Sequence, residues 1–159
     1  MKNYRLLLVT PFLFGACHTQ NAEPASPSFS PLEDAKKAIA VSNQLYWQAF
    51  TTSDSTLFIE RYAADACIMP DGVPALCGPD APAAFYRVGY QQLKIRNGRF
   101  TTQGVWGSGN YVTEQGRYEL RNGQGEIIEI GKYLVLWKKT ATGWKMFRDS
   151  FSSDQPTPH

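Results

Sequence analysis

Carboxylates and tyrosines are the side chains of this 159-residue sequence that could carry out chemistry, because histidine is almost absent. The two histidines, His18 and His159, both lie near the ends of the chain. A domain built from the residues between them has no imidazole, which excludes Ser-His-Asp and Cys-His nucleophilic sites and histidine-ligated metal centres. Since the sequence has no metal or nucleotide motif either, we predict no cofactor.

Asp149 is the first candidate for an acid or a base. It lies between Phe147 and Phe151 at the two-residue spacing of a β-strand, so the three side chains should share a face. If that face lines an interior, burial would raise the pKa of the carboxyl group and suit it to proton transfer. The alternative is that Trp144 and Met146 mark the inward face, which would leave Asp149 in solvent or beside a basic residue.

Glu114 is the second candidate. It shares a strand face with Val112, Tyr118 and Leu120, and this pattern indicates an inward direction. Against this, charged groups are rarely buried without a partner, so the sequence favours a glutamate that is exposed at the end of a strand.

Helices are predicted in the first half of the chain. Ser30 can cap the first, and Glu33 completes a capping box before apolar residues recur at helical spacing up to about residue 52. Asp54 can cap a short second helix that carries Tyr62. A third helix is predicted to begin near residue 80 and to end at Asn97-Gly98.

A small hairpin is predicted between the second and third helices, with Pro70-Asp71-Gly72 as its turn. If Gly72 is the centre, Cys67 and Cys77 lie opposite each other, because each is five residues away. The Cα atoms of opposed strand residues are about 4.5–5.5 Å apart, which is within the range of a disulfide. We therefore predict a Cys67–Cys77 bridge, with two buried thiols as the alternative.

The second half of the chain has the alternating pattern of strands. Four are predicted, over residues 100–106, 111–121, 126–139 and 144–152, and short turn-rich segments connect them. Helices followed by an antiparallel meander indicate an α+β fold, in which the three N-terminal helices pack on one face of a curved antiparallel sheet.

The N-terminus is predicted to direct export. Lys2 and Arg5 precede an apolar run and the small pair Gly15-Ala16, which together are typical of a secretory signal over residues 1–16. The small pair followed by Cys17 resembles the lipobox of bacterial lipoproteins, in which the cysteine is lipidated. This predicts an exported protein, lipid-anchored at Cys17 in the bacterial cell envelope. The alternative is ordinary cleavage near Ala16, which would give a soluble periplasmic or secreted protein.

The remaining boundaries follow from composition. Residues 17–31 comprise the anchor cysteine and a Pro- and Ser-rich flexible tether, residues 32–154 form one domain, and residues 155–159 form a C-terminal tail. Without Lys2 and Arg5, 14 basic residues stand against 14 acidic ones. This balance lacks the basic surface of a nucleic-acid binder, so we expect no nucleic-acid partner and contact with a membrane only through the lipid anchor.

The order of elements and several motifs resemble the nuclear-transport-factor-2-like superfamily, whose cone-shaped fold is shared with ketosteroid isomerase and the SnoaL-like proteins. The matching segments are Tyr62-Ala63-Ala64-Asp65-Ala66, Pro70-Asp71-Gly72, Gly78, the nine residues from Gly131 to Lys139, Gly143-Trp144-Lys145, Arg148-Asp149 and Ser153-Asp154. The resemblance implies the cone fold over about residues 32–154. It does not imply one activity, because this fold serves isomerases, hydrolases, dehydratases, binding modules and dimerisation domains.

The resemblance to ketosteroid isomerase places the oxyanion-binding tyrosine of that enzyme on Tyr46. The catalytic base falls on Pro70, with Asp71 one residue away, and the second oxyanion donor falls near Tyr133. Because proline cannot accept a proton, we do not expect the same reaction. An isomerase, cyclase or hydrolase would instead have to use Asp149 or Glu114 together with Tyr46 or Tyr133.

Aromatic residues fall on all the elements that would surround the cone. Several must be core, but tyrosines that face a cavity offer hydroxyl groups together with apolar area, which suits a ring-shaped organic ligand. The candidate ligand-binding residues are Tyr46, Trp47, Tyr62, Phe85, Tyr86, Tyr90, Trp106, Tyr118, Tyr133 and Trp137.

Three roles follow for this domain. The first is an anchored module that binds a small apolar or aromatic molecule in its pocket. The second is an enzyme in which Asp149 or Glu114 acts as acid or base and a tyrosine such as Tyr46 binds an oxyanion. The third is an interaction domain that forms a homodimer through its exposed sheet face, and dimerisation is compatible with either of the other two.

Overall fold

A computed structural model describes residues 31–155 of the chain. The predicted signal, the anchor at Cys17 and most of the tether lie outside the described residues. The elements in chain order are α1 Pro31–Thr52, α2 Ser55–Ile59, β1 Tyr62–Pro70, β2 Leu76–Cys77, α3 Ala81–Arg87 with a π-helical turn Val88–Gln92, β3 Asn97–Ser108, β4 Tyr111–Arg121, β5 Ile127–Thr140 and β6 Gly143–Ser153.

Helix α1 covers the residues predicted for it. Its buried side chains lie on one stripe that includes Ala35, Ile39, Tyr46 and Phe50, at the spacing of three, four and seven residues that a core-facing helix requires. The helix packs against β3 and β6. This stripe forms one wall of the interior in which the candidate acids lie.

The six strands form one sheet in the order β2-β1-β6-β5-β4-β3. Neighbouring strands are antiparallel except β1 and β6, which are parallel, so the expectation of a wholly antiparallel sheet is wrong at this one pair. The reason is topological: the chain crosses from β2 through α3 to the far edge of the sheet, and the meander then returns until β6 lies beside β1. The architecture is the α+β arrangement of helices on a curved, unclosed sheet that the sequence predicts.

Two predicted helix boundaries are wrong. Tyr62 is the first residue of β1 rather than part of α2. The third helix ends early, since α3 stops at Arg87 and the π-helical turn at Gln92, and Asn97 and Gly98 begin β3 instead of ending a helix. The glycine is needed for packing, because a Cβ at position 98 would lie 2.4 Å from the ring of Trp47 on α1.

The short β1–β2 hairpin has the expected register. Cys67 pairs with Cys77 and Ile68 with Leu76, and the two cysteines form a disulfide with their Cα atoms 4.1 Å apart. The bridge therefore ties the outer edge strand of the sheet to β1, the strand that also carries Tyr62.

Two glycines set the positions of two interior tyrosines. Gly116 on β4 lies opposite Tyr133 on β5, and Gly131 on β5 lies opposite Tyr118 on β4. Each tyrosine ring lies over the glycine facing it, since a Cβ at Gly116 or at Gly131 would come within 2.5 Å of ring carbon atoms of that tyrosine. The absence of these two side chains lets both rings fold over the inner face of the sheet.

Candidate functional site

Asp149 points into the interior, and so do Trp144 and Met146. Each alternative posed by the sequence is therefore right in part: Asp149 is buried, as the first requires, and Trp144 and Met146 face inward, as the second requires. The reason is a β-bulge: Trp137 on β5 pairs with Met146 whereas Leu136 pairs with Arg148, so Phe147 is an extra residue on β6. One extra residue reverses the alternation of side chains. Phe147 consequently leaves the interior, where the sequence pattern had placed it together with Asp149.

Asp149 is buried with a single hydrogen-bond donor. Its side chain is 6% exposed, and the hydroxyl group of Tyr62 donates to Oδ2 at 2.7 Å. Its other oxygen, Oδ1, accepts no hydrogen bond from residues 31–155. Burial raises the pKa of Asp149 to about 6; the hydrogen bond from Tyr62 opposes this rise, and the charge of Glu114 adds to it. The carboxylate is thus ionised near neutral pH and free on one oxygen.

Glu114 is fully buried, so the expectation of an exposed strand-end glutamate is wrong. Its Oε1 accepts hydrogen bonds from Asn43 Nδ2 at 2.8 Å, Thr102 Oγ1 at 2.6 Å and the Tyr133 hydroxyl group at 2.9 Å. Its Oε2 accepts one from Trp137 Nε1 at 3.1 Å. Four donors replace the water that the carboxylate loses on burial, which is why the group is tolerated there without a cation.

The interior tyrosines are hydrogen-bond donors at any physiological pH. Burial raises the pKa of Tyr46 well above its ordinary value, and the charge of Asp149 raises it further. Burial and the same carboxylate raise the pKa of Tyr62, whose hydroxyl group lies beside that of Tyr46. The pKa of Tyr133 is raised by burial and then by Glu114. All three therefore keep their protons, and none can act as a base.

The two acids face one interior cavity of about 50 Å³. A water molecule needs about 10–15 Å³ by this measure, so the cavity has room for about three to five non-hydrogen atoms. It is lined by Asn43, Tyr46, Trp47, Phe50, Phe85, Ile95, Phe100, Glu114, Tyr118, Leu120, Tyr133, Val135, Met146, Asp149 and Phe151. A cavity of about 150 Å³ is known to accept benzene, so the expected ring-shaped ligand would need the lining to rearrange.

Five of the ten predicted ligand-binding aromatics line this cavity, and they are Tyr46, Trp47, Phe85, Tyr118 and Tyr133. Two others do not line the cavity but hydrogen-bond to the acids: the Tyr62 hydroxyl group donates to Asp149, and the Trp137 indole N–H donates to Glu114. Tyr86 belongs to the core, where its hydroxyl group donates to the carbonyl oxygen of Ala49 at 3.0 Å.

Trp106 and Tyr90 are not at the site. A bulge in β3 shifts the register between Thr102 and Gly104, which puts Val105 rather than Trp106 opposite Glu114. Trp106 is 52% exposed. Tyr90 lies in the π-helical turn and borders a surface groove. The guanidinium group of Arg96 lies 3.8 Å from the centroid of the Tyr90 ring.

Several lining residues were missed by sequence reasoning. Asn43 is the informative one, because it lies on the buried stripe of α1, between Ile39 and Tyr46. A polar residue on an apolar helix face signals a buried hydrogen-bond partner, and this signal was available in the sequence. Asp71, one residue from the position of the isomerase base, lies in the exposed turn after β1 and is not part of the cavity lining.

Between residues 31 and 155, no group of three or more His, Cys, Asp or Glu side chains is arranged to hold a metal ion. Over the same range, no helix is both long and apolar enough to cross a membrane.

Comparison with known proteins identifies the fold. No protein-family model matches the chain, and no curated protein matches it by sequence. Among solved structures, the chain is similar to a nuclear-transport-factor-2-like protein of unknown function from Shewanella oneidensis, with 18% identity, a TM-score of 0.63, and coverage of 74% of this chain and 98% of that one. It is also similar to a ketosteroid isomerase-like protein from Erwinia carotovora atroseptica, with 24% identity, a TM-score of 0.60, and coverage of 79% and 97%.

A third similar structure is a nuclear-transport-factor-2-like protein with a cystatin-like fold from Novosphingobium aromaticivorans. It shares 14% identity and a TM-score of 0.63, with coverage of 79% of this chain and 86% of that one. The chain therefore has the nuclear-transport-factor-2-like fold, as the sequence motifs predicted. Since one fold carries many activities, the function must be argued from the cavity itself.

Proposed function

We propose that the protein is a small-molecule enzyme in which Asp149 accepts a proton from a molecule bound in the interior cavity. The observation that carries this proposal is the asymmetry of the carboxylate of Asp149, a residue of the cavity lining: Tyr62 holds Oδ2, whereas Oδ1 has no donor among the described residues. A general base works best when its pKa is near the working pH. With a pKa of about 6, Asp149 is ionised in roughly nine molecules out of ten at pH 7.

Hydrogen-bond donors for a substrate oxygen lie in the same cavity. Tyr46 lines it and keeps its proton, and the buried indole N–H of Trp47 has no hydrogen-bond partner in the described part of the chain. When a base removes a proton next to a carbonyl group, negative charge develops on the carbonyl oxygen, and fixed donors stabilise it. Tyr46 and Trp47 are suited to that role.

Glu114 has a different task in this proposal. Both of its oxygens already accept hydrogen bonds from groups of the protein, four in all, which leaves the carboxylate fixed rather than available to a substrate. It keeps Tyr133 in place, and its charge raises the pKa of Asp149. It is therefore a positioning residue and not the base.

Acetone is a probe of suitable size, since it has four non-hydrogen atoms and a weakly acidic proton next to a carbonyl group. Exchange of its methyl protons in D₂O can be followed by proton NMR. We expect the full-length protein to accelerate exchange, and Asp149→Asn to remove at least about 99% of that acceleration, because general bases contribute about 10²–10⁴-fold. Asp65→Asn, which removes an exposed carboxylate outside the cavity, is the matched control. Equal acceleration by the wild type and Asp149→Asn would refute the proposal.

Export and anchoring at Cys17 are part of the same proposal. The Cys67–Cys77 disulfide supports them, because disulfides persist in oxidising compartments such as the bacterial periplasm. Globomycin, which blocks lipoprotein processing, should cause accumulation of an unprocessed precursor, and Cys17→Ser should abolish lipid labelling. Normal processing and lipid labelling of Cys17→Ser would contradict anchoring at this residue.

A homodimer is a second candidate role, supported by the outer face of β5. Leu134 is 51% exposed and Ile130 is 40% exposed, and the two share a strand face because they are four residues apart. Exposed apolar side chains of this kind mark interaction surfaces when they cluster. Sedimentation velocity should show a dimer that Leu134→Glu dissociates, and a wild type that stays monomeric at high concentration would exclude this role.

A further inference from the structure

The charges of the cavity lining are one-sided. Asp149 and Glu114 are its only carboxylic acids, and none of its fifteen residues is lysine, arginine or histidine. Neither carboxylate has an ion-pair partner among residues 31–155; the ion pairs of that range lie elsewhere, on exposed or half-exposed side chains. A small interior space with two carboxylates and no cation has a negative potential that a bound positive charge would relieve.

The rest of the lining is aromatic. The rings of Phe100 and Tyr133 lie 5.0 Å apart, those of Tyr46 and Trp47 lie 4.8 Å apart, and Phe85, Tyr118 and Phe151 complete the wall. Aromatic faces attract ammonium and guanidinium groups, and this attraction is strongest when water is excluded. Carboxylates and aromatic faces in one cavity therefore favour the same kind of ligand.

We propose that the substrate of the cavity is a small organic cation, a protonated amine of about three to five non-hydrogen atoms, whose positive charge is stabilised by the carboxylates and aromatic faces of the lining while Oδ1 of Asp149 stays available to accept the proton. This inference rests on the proposed function, because it names the class of substrate for the same site. Size is set by the cavity of about 50 Å³. Charge is set by the two carboxylates of the lining, neither of which has an ion-pair partner among residues 31–155.

The cation must compete with protons for Asp149. The titratable groups around Asp149 are Tyr62 on β1, Tyr46 on α1, Glu114 on β4 and Tyr133 on β5. All three tyrosines keep their protons, because burial raises the pKa of each. Between pH 5 and pH 7.5, the binding of a cation should therefore follow the ionisation of Asp149, whose pKa is about 6.

Isopropylammonium and propan-2-ol form a matched pair of probes, because they have the same shape and four non-hydrogen atoms each but differ in charge. Their dissociation constants for the full-length protein can be measured by NMR titration. At pH 7.5 we expect the cation to bind at least tenfold more tightly than the alcohol. At pH 5 the affinity for the cation should fall about tenfold, since only about a tenth of Asp149 is then ionised, and the affinity for the alcohol should not change.

Variants separate this inference from a general effect of charge. Asp149→Asn should abolish the preference for the cation, whereas the exposed control Asp65→Asn should keep it. Equal affinities for the cation and the alcohol at pH 7.5, or a preference that does not change between pH 7.5 and pH 5, would overturn the inference. If acetone exchange still depends on Asp149 in that case, the base is real and its substrate is neutral; if exchange also fails, both proposals are wrong.

Discussion

Replacing the buried acid should stabilise the protein. A carboxyl group with a pKa of about 6 in the fold and an ordinary value of 3.8 favours the unfolded state once it is ionised. At 1.36 kcal/mol per pH unit, the difference amounts to about 3 kcal/mol. Because the pKa of Asp149 is raised, its contribution to stability is fully present below about pH 4 and is lost as the pH rises through 6.

Asp149→Asn removes this penalty and keeps a carbonyl oxygen that can accept the hydrogen bond from Tyr62. Its amide group loses some hydrogen bonding to water on burial, so the expected gain at pH 7.5 is about 1–3 kcal/mol. In urea denaturation followed by tryptophan fluorescence, a gain of 2 kcal/mol raises the midpoint by about 1 M. The gain should stay almost constant between pH 7.5 and about pH 6.5 and then shrink between about pH 6 and pH 4, where wild-type Asp149 is already neutral.

Asp65→Asn is the control for this measurement. The hydrogen bond from Lys138 lowers the pKa of Asp65, so its ionised form favours the folded state and the substitution should bring no gain at pH 7.5. The reasoning about Asp149 would be refuted if Asp149→Asn unfolded at the same or a lower urea concentration than the wild type at pH 7.5. A gain that persisted unchanged at pH 4 would refute it equally, because the charge would then not be its cause.

Three further substitutions or treatments test other parts of the structure. Tyr62→Phe removes the hydrogen bond that lowers the pKa of Asp149, so carboxyl NMR titration should show a pKa above 6; an unchanged value would mean that the bond does not form. Reduction of Cys67–Cys77, which closes a loop of about ten residues, should lower the free energy of unfolding by about 2–3 kcal/mol, measured by urea denaturation with and without dithiothreitol. Gly116→Ala would place a Cβ 2.4 Å from the hydroxyl oxygen of its cross-strand tyrosine and should cost about 2 kcal/mol, whereas Gly123→Ala, with its nearest neighbour at 3.7 Å, should be close to neutral.

Features that depend on local spacing could be predicted from the sequence. The apolar stripe of α1, the turn at Pro70-Asp71-Gly72 and the opposition of Cys67 and Cys77 each involve residues within about twenty positions of one another. Helical periodicity and turn chemistry act at this range, so no knowledge of distant contacts was needed. The four strands of the meander were recognisable for the same reason.

The directions of the side chains after each bulge could not be predicted. A bulge adds one residue to one strand and reverses every later side chain, yet it leaves no clear mark in the pattern of apolar residues. Regular alternation predicts that Phe147 shares the face of Asp149, and the bulge in β6 places it elsewhere. Trp106 is a candidate because its strand surrounds the cone, and its side chain is exposed.

The burial of Glu114 was missed for a different reason. A glutamate is expected in solvent unless it has partners, and its partners come from three separate elements, α1, β3 and β5, the most distant being Asn43, 71 positions away. No local pattern brings these donors together, because only the tertiary fold does so. The sequence could identify the acid but not the groups that make its burial possible.

The contrast between the two buried acids is the strongest argument that the cavity has a function. Glu114 is surrounded by four donors and therefore makes sense as part of the structure. Asp149 has one donor, a free oxygen at a cavity and a raised pKa, and together these cost about 3 kcal/mol in a protein whose total stability is expected to be about 5–15 kcal/mol. An asparagine or an apolar residue would fill the same position without that penalty. Buried groups that lower the stability of the fold in this way are concentrated at sites of binding and catalysis. We therefore expect a function of the cavity to depend on the ionised carboxylate of Asp149.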